Sequence, residues 1–260
     1  MMPDIATTAA ARTEAAQRLI DQAQGASYVE LVTLSALELC VLGGPRHALA
    51  ELAVTEAWLE LRDRRREKII KQVTDGMVER GLLLPEPDPE PGGASYALNP
   101  ALGVVLAART RPAFIVVTET AVAALRTPRF LALGDEQVPV RAVVVEEPAA
   151  LPAGSRDDFP NIAKLGPLGR FYRYLLVSRA RAAELLAEWA IAPPPAAGGP
   201  DSARAVSRFQ AGGGPGAQLG VRGDGSTAHL VRPPEDGPGD AYDRAGLAAV
   251  MLDLLAGPGS

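Results

Sequence analysis

Few residues in this chain are of a type and spacing that could do chemistry, and the densest group is cationic. Arg62–Lys71 reads RDRRREKIIK, placing Arg64, Arg65, Arg66, Lys68 and Lys71 within three turns of an expected helix. Such a cluster can contact phosphates or base edges if the helix enters a groove. It can equally be a solvated face, because Asp63, Glu67, Asp75 and Glu79 are interleaved with it and cancel part of its field. Glu67 and Lys71 stand in the favourable i,i+4 order, an ion pair worth about 0.2–0.5 kcal/mol. The choice between recognition helix and solvated helix therefore governs the functional reading.

The other reactive side chains offer less. Cys40 is the single cysteine and lies in the apolar run LELCVL. It cannot form an internal disulfide, which fits a reducing compartment, and it reads as a small core residue rather than a nucleophile. His47 and His229 are isolated, and no H-x-x-x-H, C-x-x-C or G-x-S-x-G occurs. Metal ligation and Ser/His hydrolysis need more convergent side chains than that. Asp157 and Asp158 form an acidic pair in an expected loop, with no base or metal cluster beside them. The glycine run GGGPGAQLG at 212–220 is broken by proline and precedes an expected strand, so it reads as a hairpin tip rather than a phosphate cradle. Arg222-Gly223-Asp224-Gly225 sits between two extended runs and suits a tight hairpin turn. No catalytic, cofactor-binding or metal residue is assigned, no cofactor is expected, and the chain is read as not an enzyme.

The elements that must position these groups follow from pattern. The 260 residues carry a net charge of −5, which argues against global attraction to polyanions while leaving local patches free to act. Neither a signal peptide nor a membrane span is expected, so a soluble cytoplasmic protein is. The bias to Ala, Arg and Pro reflects GC-rich bacterial codons. Residues 1–25 are alanine-rich and read as an N-terminal helical extension. SYVELVTL (27–34) reads as a strand, and Ser35 with Glu38 makes the S-x-x-E pattern that caps the helix ending at Gly43-Gly44. A further helix over 48–60 and a charged one over 64–80 follow. Ile69, Val73 and Met77 make the latter's apolar face, and Gly81 takes its C′ position. GLLL and SYAL form a hairpin around the proline-rich PEPDPEPGGA, whose tip carries Glu86, Asp88 and Glu90. Asn99-Pro100 starts the next helix. Strands are expected at 111–120, 138–147 and 170–178, and TAVAALRT reads as helical. A helix follows Ser178, then a three-stranded meander, then a last helix ending at Gly257-Pro258. Residues 148–169 read as a loop or linker.

The expected fold class is α/β of the α+β type. It has a mixed or antiparallel sheet with flanking helices and a winged-helix-like segment near the N-terminus. After residues 1–25, residues 26–260 form one domain of two similar halves, about 26–147 and 170–260, joined by the loop 148–169. Helix, helix, charged helix and hairpin in that order allow a DNA-binding regulator. The acidic hairpin tip and the acidic chain weigh against it, because both repel phosphate.

A second similarity rests on Thr33, Leu34, Glu38 and Leu39, then Arg80, Gly81, Leu82 and Leu83, then Pro100, Leu102, Leu106, Ala107, Arg111, Pro112, Val116 and Val117. In that order these residues resemble the actinobacterial EspG family, cytoplasmic chaperones associated with type VII (ESX) secretion. The resemblance implies a non-enzymatic α/β fold with two pseudo-symmetric halves. It also implies a protein partner, a secreted substrate of the PE/PPE or WXG kind, bound through a hydrophobic helical tip. The corresponding expectation is a chaperone-like protein-binding function, with nucleic acid as the less favoured partner and no membrane association.

Overall fold

Ser35 and Glu38 form the reciprocal cap that their spacing implies. The Ser35 amide and hydroxyl donate to Glu38 Oε2 at 2.7 and 2.9 Å, and the Glu38 amide returns a bond to Ser35 Oγ at 3.1 Å. The cap joins strand β1 (Val29–Ser35) to helix α2 (Ala36–Gly43). The computed structural model describes residues 8–43, 51–86, 95–120, 127–134, 140–150, 162–193, 204–210, 215–231 and 238–256. Within these residues the protein is a mixed α+β fold with seven α-helices, one nine-stranded sheet and one two-stranded sheet.

The chain folds into two compact units. One comprises Met1–Asp21, Leu31–Thr110 and Ala149–Tyr174; the other comprises Gln22–Glu30, Arg111–Pro148 and Leu175–Ser260. Helix α1 (Ala9–Gly25) occupies most of the expected N-terminal extension.

In the first unit, α2 is followed by α3 (Leu52–Leu59), α4 (Asp63–Glu79) and the antiparallel pair β2 (Leu83–Glu86) and β3 (Ser95–Leu98). Helix α2 touches α3 and α4, and α4 touches β2. This is the helix–helix–helix–hairpin order expected from the sequence. Val73 and Met77 of α4 are buried at the spacing that its apolar stripe requires. The helix ends in a Schellman motif. Gly81 donates to Val78 O and Leu82 to Met77 O, both at 2.9 Å, with Gly81 at φ 69°, where a side chain would be strained. Asn99 then bonds back to Gly81 O through Nδ2, and its Oδ1 accepts the Leu102 amide at 2.8 Å, capping α5 (Pro100–Thr110). Ile162–Gly169, inside the stretch expected to be a loop or linker, winds into 3-10 turns that touch α2 and α3, with Leu168 buried.

In the second unit, β4 (Phe114–Thr120), β5 (Arg129–Leu133) and β6 (Ala142–Ala149) are antiparallel neighbours. Strand β7 (Phe171–Ser178), which belongs to this unit from Leu175 on, runs into α6 (Arg179–Ile191) through Ser178, whose Oγ accepts the Arg181 amide at 3.2 Å. The expected meander is β8 (Arg204–Gln210), β9 (Pro215–Gly223) and β10 (Ala228–Val231), extended by a fourth strand, β11 (Pro238–Tyr242). Helix α7 (Arg244–Ala256) closes the described chain. The large sheet has the order β1-β7-β6-β5-β4-β8-β9-β10-β11, antiparallel throughout its β6-to-β11 portion. Phe114, Val116, Phe130, Val143 and Val145 form one core with Leu186 of α6 and Leu247 and Met251 of α7. Small side chains on α6, among them Ala183, Ala187 and Ala190, let the second helix pack closely against the first.

Candidate interaction surface

The cationic run lies on α4, and its members have different fates. Arg66 is turned back toward the protein. Its Nη2 donates to the carbonyls of Leu61, Leu59 and Trp58 at 2.9, 3.2 and 3.4 Å. The guanidinium lies 5.7 Å from the Trp58 ring centroid, and Nη1 reaches Asp63 at 3.3 Å. Those carbonyls belong to the end of α3 and the turn after it, where no backbone amide is left to serve them all. Arg66 thus acts as a side-chain cap across the α3–α4 corner. Lys71 pairs with Asp75 at 2.7 Å rather than with Glu67. Both carboxylates are one turn away, and only Asp75 is within ion-pair distance. The Asp75 hydrogen bond and charge push the Lys71 ammonium above its ordinary value.

Arg62, Arg64, Arg65 and Lys68 are exposed and make no ion pair or side-chain hydrogen bond among the described residues. They crowd the amino end of α4, where the backbone dipole is positive and cations are disfavoured. The only acid in that first turn is Asp63, and the last turn has no base, so the helix is charged against its own dipole. Next to this end, Leu59 is 59% exposed, and Leu52, seven residues earlier on α3, is 73% exposed. Val54 and Trp58 on the same helix are buried, so α3 shows solvent a second, partly apolar face.

Of the hairpin acids, Glu86 is held by Arg12 of α1 at 2.9 Å, while Asp88 and Glu90 lie outside the described residues, as do His47, Asp157 and Asp158. Cys40 is buried, and desolvation pushes its thiol up to about 11 against the opposing influence of Arg109. A thiol so placed is an inert core group. His229 is exposed on β10, with Nδ1 3.4 Å from Gly239 O. Gly225 takes φ 99° in the turn after β9. The Asp224 carboxylate accepts the amides of Ser226 and Thr227 and both their hydroxyls, which holds it well below the usual carboxylate range. The hairpin turn is therefore Asp224–Thr227, closed by the Asp224 amide on Thr227 O; Arg222 and Gly223 of the expected Arg222–Gly225 turn instead end strand β9, paired with His229 and Ala228 of β10. Among the described residues no group of three or more His, Cys, Asp or Glu side chains is placed to hold a metal.

The residues that carry the family resemblance perform structural work. Glu38 caps α2 and accepts an ion pair from Arg80; Gly81 ends α4; Leu82, Leu83, Leu102 and Val116 are buried. Two features of the surface had no sequence signal. One is the engagement of Arg66 by α3, and the other is the exposure of Leu52 and Leu59, which the apolar pattern would place inside. No protein-family model matches the chain, and no curated protein does. No helix among the described residues is long and apolar enough to cross a membrane.

Proposed function

We propose that this protein is a non-enzymatic, chaperone-like binding protein of the cytoplasm that holds a helical segment of a secreted partner, in the manner of the EspG family it resembles. The observation that carries the reading is the disposition of the α4 cations. Arg66 faces the carbonyls of α3 and Lys71 faces Asp75, so the run does not present one continuous positive face. What remains exposed is interspersed with Glu60, Asp63 and Glu67. A surface of alternating sign suits a protein partner with complementary charges, since like-charge juxtaposition penalises wrong partners. Exposed Leu52 and Leu59 beside it add apolar area that a partner helix would cover. Capture of the tagged protein from its native host, followed by mass spectrometry, tests the reading. A stoichiometric secreted helical protein of the PE/PPE or WXG kind is the expected companion; its absence from the captured material refutes the proposal.

A second reading, a winged-helix DNA-binding regulator, is favoured by the order of α2, α3, α4 and the hairpin and by Arg62, Arg64, Arg65 and Lys68, which are exposed and without an ion pair among the described residues. Titration with duplex DNA over a salt series decides it. A DNA regulator shows an affinity that falls steeply with salt as counterions are released. The chaperone reading expects no appreciable DNA affinity at physiological salt.

A further inference from the structure

Among the described residues, Arg62, Arg64, Arg65 and Lys68 make no ion pair or side-chain hydrogen bond, whereas Arg66 and Lys71, which flank Lys68 on the same helix, are both engaged. Their position opposes the helix dipole, so helix stability is not what keeps them there. Asp63, the one acid in the first turn, gives a single oxygen to Arg66 at 3.3 Å and stays exposed among them, one carboxylate against four cations. The backbone beneath them is fixed, because Arg66 ties the start of α4 to the carbonyls of Trp58, Leu59 and Leu61 and stacks on the Trp58 ring. Leu59, whose carbonyl accepts one of these bonds, projects an exposed side chain at the same corner. Guanidinium groups and an apolar side chain presented from a pre-ordered backbone lower the entropic cost of binding.

We propose that the α3–α4 corner, formed by Leu59 with Arg62, Arg64, Arg65 and Lys68, docks an acidic amphipathic helix of a protein partner. The partner's apolar face covers Leu59, and its carboxylates take the guanidinium groups, for which the planar fork of arginine is suited. The proposal rests on the protein-binding reading above and names the surface that carries it. Charge complementarity selects this occupant over nucleic acid. Glu60 and Glu67 interleave with the cations and oppose a uniform phosphate backbone, while a peptide can set a lysine against each of them.

The test uses the full chain and a fluorescein-labelled amphipathic helical peptide, with leucines at helical spacing and glutamates on the flanks. The same peptide with lysines for glutamates and a random-sequence DNA duplex are the comparison probes. The wild-type protein is expected to bind the glutamate peptide in preference to both. The triple variant Arg64→Gln, Arg65→Gln, Lys68→Gln is expected to weaken that binding by about tenfold, and Leu59→Ser by about fivefold. Arg18→Glu on α1, an exposed site away from the corner residues in sequence, leaves binding unchanged, and thermal melting verifies that each variant is folded. Failure of the wild type to bind the glutamate peptide, equal binding by the folded triple variant, or tighter binding of the duplex each overturns the proposal. The two readings also fail separately. A native-host partner retained by the triple variant sinks the corner alone. The expected peptide behaviour with no secreted partner captured sinks the chaperone-like reading alone.

Discussion

Arg204 lies with its guanidinium carbon 5.1 Å from the ring centroid of Trp189 while donating to the backbone carbonyl of that same residue. It also donates to the carbonyls of Ala190, Ala192 and Pro193 at 3.2, 2.6 and 2.8 Å. One side chain from β8 thus satisfies the orphan acceptors at the end of α6, and burial lowers its proton affinity below the ordinary arginine value. Arg66 makes the same two contacts with Trp58 at the end of α3. In both arginines Nε is buried without an acceptor, so the terminal nitrogens carry the interaction. Arg204→Met is expected to destabilise the fold by about 1–3 kcal/mol, because four carbonyls at the end of α6, that of Ala190 buried, lose a charged donor together. Arg204→Lys recovers only part of this, since a single ammonium cannot span the set. Urea unfolding midpoints check both values; an unchanged midpoint for Arg204→Met refutes the capping role.

The glycines separate into two kinds. A Cβ on Gly223 would lie 2.3 Å from Ala190 O and 2.5 Å from Ile191 O, so the strand can approach the end of α6 only without a side chain. Gly223→Ala is expected to cost about 1–3 kcal/mol through forced backbone displacement. Gly76, inside α4, has open space around the same position. Gly76→Ala is expected to stabilise by about 0.5–1 kcal/mol, because alanine loses less backbone entropy in a helix interior. Thermal melts of the two variants should move in opposite directions.

Asp224 confers a pH dependence whose sign is fixed. Its carboxyl is held below the usual range by the amides of Thr227 and Ser226 and by their hydroxyls. A depressed folded-state value means that the ionised form supports folding. The contribution is complete above the unfolded-state value of about 4 and is lost as pH falls through the lower folded value. Asp224→Asn should therefore melt below wild type near neutral pH, and the gap should close progressively in acid below about pH 4. Melting curves over a pH series test this, and a gap that persists unchanged into strong acid contradicts it.

Local signals in the sequence carried far into the structure where one short segment decides the outcome. The Ser35–Glu38 cap, the Gly81 helix stop, the Asn99-Pro100 start and the turn at Asp224 each depend on residues within a few positions of one another. Strand β5 carries no clear local signal, because RFLALGD is too short for its alternation to register, and β11 is glycine- and proline-bearing. Both become strands through pairing with neighbours already in the sheet, which is tertiary information. The candidate surface was legible as a charge cluster but not as a geometry. Nothing in RDRRREK distinguishes Arg66, which caps α3, from Arg64 and Arg65, which face solvent. That distinction depends on the angle between two helices, and with it goes the difference between a structural arginine and a binding one.

The same distinction yields a prediction that separates stability from binding within a single helix. Arg66→Met removes the donor shared by Trp58, Leu59 and Leu61 and should cost about 1–3 kcal/mol, with the α3–α4 corner loosening first. Arg64→Gln and Arg65→Gln remove exposed cations from the positive end of the dipole. Each should leave stability unchanged or raise it by about 0.3 kcal/mol, an effect that fades with added salt. Hydrogen exchange across residues 51–86 distinguishes the cases. Protection should fall at the end of α3 in Arg66→Met and stay at the wild-type level in the other two variants. Were Arg64→Gln or Arg65→Gln to lower protection as Arg66→Met does, those arginines would be structural, and their unpaired state would no longer mark a surface held ready for a partner.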